Sequence, residues 1–141
     1  MRYVAASNRW ESLSLGCSGP FSCFAANDKY MVFPCYEPTG WHSGMTEFGG
    51  LFVYDIGMRR CRRLAVPDGL PNVDFRSVAV ENDKAWVGGK GFIAVVDLPS
   101  ARVEKLCKLR SVFRVRCLEL VGNEVWFSSG PGLYRLAKDA R

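Results

Sequence analysis

Apolar and polar positions alternate along this chain in short runs, and the runs come in pairs. Residues 75–89, FRSVAVENDKAWVGG, hold an alternating stretch, a polar turn and a second alternating stretch. Residues 115–129, VRCLELVGNEVWFSS, and 21–35, FSCFAANDKYMVFPC, do the same. A period of two is the pattern of half-buried strands. The turn pairs Asn82-Asp83, Gly122-Asn123 and Asn27-Asp28 tolerate the left-handed backbone of a tight hairpin. Three hairpins are therefore predicted. A third strand follows each one, at 49–56, 91–98 and 130–137, and opens with glycine. Fourth runs follow at 59–66 and 102–109. At the N-terminus, residues 2–6 and 9–15 look like a third and a fourth strand.

A unit of about 40 residues made of four short antiparallel strands is the signature of a propeller blade. Trp86 and Trp126 hold the same repeat position, with Met31 in that place in the first copy. A blade has two apolar faces and cannot bury both alone; stacking blades buries them continuously. The three residues are expected between blades. The reading is all-β, with a partial blade at 2–15, a blade at 21–66 carrying an inserted loop at 34–48, a blade at 75–109 and a partial blade at 115–137. Val103, Leu106 and Leu109 have helix-like spacing, but their segment aligns with 59–66, so a strand is expected there. About three blades fall short of the four to eight that close a ring. The expectation is an incomplete ring: a piece of a longer protein, a gene remnant, or one half of a ring completed by self-association.

The charged fraction of 23% and hydrophobic fraction of 48% exclude general disorder. No apolar run approaches the ~20 residues of a membrane helix, and the first residues lack the apolar core of a signal peptide. The net charge is +5. The basic runs 58–63 and 105–116 read as protection of outer edge strands rather than as a nucleic-acid surface, because aromatics are not interleaved with them. Six cysteines occur without a C-x-x-C, and four lie in apolar strand-like runs. Buried free thiols are expected ahead of disulfides or metal.

Residues 68–92, DGLPNVDFRSVAVENDKAWVGGKGF, resemble the two-component regulator propeller repeat, on Asp68, Gly69, Leu70, Pro71, Ser77, Trp86, Val87, Gly88 and Gly91. VWFSSGPGLYRL at 125–136 is similar to the ending of the same repeat. The first copy lacks the tryptophan, and the turns before Phe21 and Val115 lack the DGLP pattern. The resemblance implies a sensor or ligand-recognition module, in that family often outside the cytoplasm ahead of a membrane span and kinase. It carries over no catalytic residue. A complete chain would be placed in the cytoplasm, and a fragment of a larger sensor outside it.

The candidate site follows from the blade geometry. The inserted loop 34–48 projects over the ring mouth together with loops 16–20, 67–74 and 110–114. It supplies Tyr36, Glu37, Trp41, His42 and Glu47, and the blade linker supplies Asp68 and Asp74. Aromatic and titratable groups on a long loop point to recognition; the alternative is a decorative loop whose Trp41 packs on the neighbouring blade. Cys35 and His42 as a nucleophile–base pair come with no identifiable oxyanion signature or third group, and with Glu37 and Glu47 as metal ligands they match no known spacing. The function expected is a non-catalytic recognition or scaffold module for a small ligand or protein, without cofactor or metal. The alternatives are part of a lactonase- or quinoprotein-like enzyme, with carboxylates converging at the mouth, or a remnant without function.

Overall fold

The computed structural model describes residues 2–12, 21, 23–35, 49–72, 74–110 and 113–139. The fold is all-β, built of antiparallel sheets that do not close on one another. A short hairpin, β1 (Arg2–Val4) with β2 (Arg9–Glu11), leads the chain. The first large sheet comprises β3 (Ala25–Ala26), β4 (Tyr30–Cys35), β5 (Gly50–Asp55) and β6 (Arg60–Leu64). The second comprises β7 (Phe75–Glu81), β8 (Lys84–Gly89), β9 (Phe92–Asp97) and β10 (Arg102–Lys108). The third has β11 (Cys117–Val121), β12 (Glu124–Ser129) and β13 (Gly132–Ala137). Strand order in each follows the sequence, as in incomplete propeller blades. No helix among the described residues is long and apolar enough to cross a membrane.

Two apolar layers join the three sheets. Tyr30, Val32, Leu51 and Val53 of the first sheet meet Val78, Val87, Ala94 and Val96 of the second. On the opposite face of the second sheet, Trp86, Ile93 and Val95 meet Leu118, Val125 and Phe127 of the third. Trp86 is 5% exposed. A side chain of that size, withdrawn from water on all sides, contributes several kcal/mol. Gly88 makes the approach feasible: a β-carbon there would collide with Val115 and with the Ser77 hydroxyl. Each outer strand adds a bond to the next sheet. Arg62 of β6 donates to the Leu98 carbonyl at 2.6 Å, and Lys105 of β10 donates to the Lys138 carbonyl at 3.1 Å. The two cations hold equivalent places, opposite Val53 and Val95.

The first hairpin differs from its expected register. Tyr30 pairs with Asp55, Lys84 with Asp97 and Glu124 with Ala137 at the start of each ladder. Counting inward, Val32 rather than Met31 is the counterpart of Trp86 and Trp126. The cause lies in the turn. Asn27 Oδ1 accepts the amides of Lys29 and Tyr30, and the Asn27 amide donates to the Tyr30 carbonyl at 3.0 Å. The turn pair is thus Asp28-Lys29, one residue later than the sequence pattern suggests, and a one-residue slip exchanges the two faces. Met31 consequently packs with Phe33, Phe52 and Tyr54 on the other face of the first sheet.

Trp126 also departs from expectation. It points away from the second sheet and lies between no pair of described sheets. Its Nε1 donates to Glu124 at 3.0 Å, and Arg135 lies 6.0 Å from its ring centroid. Around it, Glu119, Ser128 and Arg135 stand where the second sheet has Ala79, Gly88 and Val95. The strand predicted at 102–109 is present as Arg102–Lys108, and its helix-like spacing has a structural origin. A bulge between Val103 and Lys105 shifts the register, so Val103 and Leu106 fall on one face, opposite Val96 and Ala94. The inserted loop begins later than expected, because Pro34 and Cys35 pair with Leu51 and Gly50. Of the cysteines, Cys35 is buried, Cys117 is exposed, and Cys23, Cys61 and Cys107 lie between; Cys17 is outside the described residues.

The turn after the third strand recurs. Asp55 Oδ1 accepts the Met58 amide, and Asp97 Oδ2 accepts the Ser100 amide and hydroxyl. Arg59 and Ala101 then take left-handed backbone at φ 51° each. The Ser100 bonds, side chain first and backbone second, hold the Asp97 carboxyl below its ordinary value of 3.8. A depressed carboxyl contributes stability that is present above its unfolded pKa and lost as pH falls through the folded one. The stability difference between the parent and Asp97→Asn should therefore be constant near neutrality and narrow below pH 3.8. Denaturation followed across a range of about pH 2–7 measures this, and a difference that persists unchanged at the acid end would contradict it.

The two tryptophans should respond differently to truncation. Trp86→Ala is expected to cost about 3–5 kcal/mol, and Trp126→Ala about 1 kcal/mol, as for a residue outside the core. Urea denaturation of both variants decides; equal losses would contradict this packing.

Candidate functional site

The linker from the first sheet to the second begins as a cap. Asp68 Oδ2 accepts the Ala65 amide at 2.8 Å and closes a single turn at Val66–Asp68. Gly69 leaves it at φ 98°, a conformation that glycine adopts without strain. Leu70 then plugs the layer between the two sheets. The four residues of the DGLP run thus act in turn as cap, reversal, anchor and exit.

Beyond Pro71 the backbone is held by Asn72. Its Oδ1 accepts the Asp74 amide at 3.0 Å, and its Nδ2 donates to the Lys90 carbonyl at 3.2 Å. The Lys90 amide returns a bond to the Asp74 carbonyl at 3.2 Å. Gly91 donates to the Phe113 carbonyl at 2.7 Å, and Leu109 donates to the Gly91 carbonyl at 2.8 Å. Lys90 and Arg114 form an isolated antiparallel bridge. Three separate segments, the linkers on either side of the second sheet and its own β8–β9 turn, are thereby tied together at one end.

They enclose a cleft of about 550 Å³, lined by Pro71, Asn72, Asp74, Lys90, Gly91, Phe92, Lys108, Leu109 and Arg114. Asp74 is its one carboxylate among the described residues. One oxygen accepts from Arg76 Nε at 3.1 Å and the other from Arg114 Nη2 at 2.9 Å. The Asp74 side chain is 18% exposed, so these pairs are better shielded than surface ones. The Arg114 Nε is buried and has no hydrogen-bond partner among the described residues. A second concavity of about 430 Å³ lies along the inner strands, between residues 24–26, 78–81 and 118–120. Glu81, at its rim, is taken by Lys138 at 2.7 Å.

The linkers of residues 67–74 and 110–114 share one end of the fold through the bonds above. Tyr36, Glu37, Trp41, His42 and Glu47, and the loop 16–20, lie outside the described residues. Of the two linker acids, Asp74 lines the cleft. Asp68 does not, being engaged as the turn cap. Asn72, Lys90 and Lys108 complete the cleft, although the strand pattern alone does not point to them. A signal was available: residues 90–91 join the second and third strands of their copy, the step at which the first copy carries its insertion. The basic run of β6 is partly committed to structure, since Arg62 holds Leu98 and Arg63 donates to the Gly49 carbonyl at 3.0 Å. No group of three metal-ligating side chains occurs among the described residues.

No family model matches the chain, and no curated protein matches it. Among solved structures it is similar to the computationally designed Ika8 protein, at 16% identity and a TM-score of 0.56. That match covers 83% of this chain and 33% of Ika8, so the chain spans about a third of its length. A second similar structure is the designed Ika4 protein, at 14% identity and a TM-score of 0.44, covering 92% of this chain and 99% of that one. At 16% identity the likeness to Ika8 speaks for the fold alone.

Asp74 and Asp68 should differ as their surroundings do. Asp74→Ala strips two arginines of a shared, half-shielded acceptor and should cost about 2–3 kcal/mol, the range for bonds to charged groups. Asp68→Ala removes one exposed cap and should cost about 1 kcal/mol. Chemical denaturation separates the two, and a larger loss at Asp68 would reverse their assignment.

Proposed function

We propose that the chain is a non-catalytic recognition module of propeller blades that takes its ligand at the mouth formed by the blade linkers. The observation that carries this reading is the cleft at 71–72, 74, 90–92, 108–109 and 114, built by three segments and fixed by main-chain bonds. A preformed concave site with a few convergent polar groups is the usual form of a small-ligand pocket. Its chemistry suits binding rather than turnover. Both oxygens of Asp74 already accept from guanidinium groups, which leaves no free carboxylate among the described lining residues to act as a base. The resemblance of residues 68–92 to the two-component regulator propeller repeat agrees with a sensor-type role.

A fragment screen by two-dimensional NMR tests this. Binding fragments should shift the amides of Asn72, Lys90, Gly91 and Leu109. Lys108→Trp, which fills the cleft from an exposed position, should abolish those shifts and leave the rest of the spectrum in place. Fragment shifts concentrated on the inner-strand groove or on β13 would overturn the assignment.

A further inference from the structure

The charge of the cleft is out of balance. Asp74 holds Arg76 and Arg114, whereas Lys90 and Lys108 meet no carboxylate among the described residues. Lys90 and Arg114 are direct partners across an antiparallel bridge. Side chains of such partners leave the backbone on the same side, and like charges so placed repel. The Arg114 Nε is a buried donor with nothing to donate to among the described residues. A charge pair of one sign on a clamped backbone describes a seat for an anion.

The kind of anion follows from the donors. Arg114 has already given Nη2 to Asp74, so the fork that grips a carboxylate in two parallel bonds is partly spent. What remains are two lysine point charges and the rest of the guanidinium, a set that suits a tetrahedral dianion. The excess of positive charge is more than one carboxylate would balance. Pro71 and Leu109 provide an apolar wall beside these donors, and the volume of about 550 Å³ leaves room for an organic body. Because Asn72 Nδ2 holds the Lys90 carbonyl and the Asp74 carbonyl holds the Lys90 amide, little backbone ordering remains to be done on binding.

We infer that the cleft seats a small organic phosphate monoester, its dianionic head between Lys90, Lys108 and Arg114 and its body against Pro71 and Leu109. This rests on the recognition reading above and adds the ligand class to it.

The experiment titrates the isotope-labelled full chain with phenyl phosphate, benzoate and inorganic phosphate at matched ionic strength and a pH of about 7.5, where the phosphates are dianionic, following the amides of Asn72, Gly91 and Leu109. Phenyl phosphate should bind at least about tenfold more tightly than either other probe, since each lacks one half of the recognised group. The double variant K90Q/K108Q changes two exposed side chains and should keep the parent spectrum while weakening phenyl phosphate about tenfold or more. Lowering the pH to about 5, below the phosphate's second pKa of about 6, should weaken it as well. Equal affinity for benzoate, indifference to K90Q/K108Q, or no shift with any probe overturns the phosphate assignment. In the first case the cleft still binds and recognition stands without the ligand class. Shifts that map away from the cleft take both readings down.

Discussion

A four-stranded sheet that is apolar on both faces cannot stand in water, and β7–β10 is such a sheet. Ala85, Val87, Ala94 and Val96 point to one side, and Trp86, Ile93 and Val95 to the other. Covering both is the constraint from which the rest of the fold follows. It requires a neighbour on each flank, and it requires linkers short enough to bring those neighbours into stacking distance. It also rewards any residue that lets them approach, as Gly88 does. The cleft is a by-product of the same demand. Linkers pulled tight over the end of a stacked sheet have to turn back in one place, and there their polar groups meet.

The flanking sheets satisfy the constraint in different ways. The first turns Tyr30, Val32, Leu51 and Val53 inward, and its far face is buried as well, around Phe33, Phe52 and Tyr54. The third turns Val125 and Phe127 inward and presents Glu119, Glu124 and Arg135 outward around Trp126. Val121 and Leu133, on the same face, are exposed as well. The tryptophan remains at its repeat position there, but with its ring covered by an arginine and its nitrogen held by a glutamate, it is no longer part of a layer between sheets.

The sequence is legible wherever the pattern has a period of two and the turn has a clear signature. The second and third hairpins, with Asn82 and Gly122 in left-handed backbone, lie where the alternation puts them, together with the strands that follow. The first hairpin lies one residue away from its expected place because Asn27, Asp28 and Lys29 are all credible turn residues. The choice among them is made by the side chain of Asn27, which collects two amides. The fate of Trp126 is hidden for another reason: position in a repeat says which face a residue lies on, not whether anything covers that face. Of the candidate site, Asp74 can be found in the linker, but Lys90 cannot be joined to Arg114 from the pattern alone. Their meeting depends on a bridge between segments that are far apart along the chain.

The bonds from outer strand to next sheet have a consequence for how such a chain changes over time. Arg62 and Lys105 each donate to a main-chain carbonyl, at Leu98 and at Lys138. Every residue type supplies that acceptor, as the contrast between leucine and lysine shows. Only the donor side of each link is therefore fixed in side-chain chemistry, and an arginine and a lysine both serve. A staple of this kind can persist while the residues around it drift, so the architecture is inherited with little trace in the sequence that encodes it.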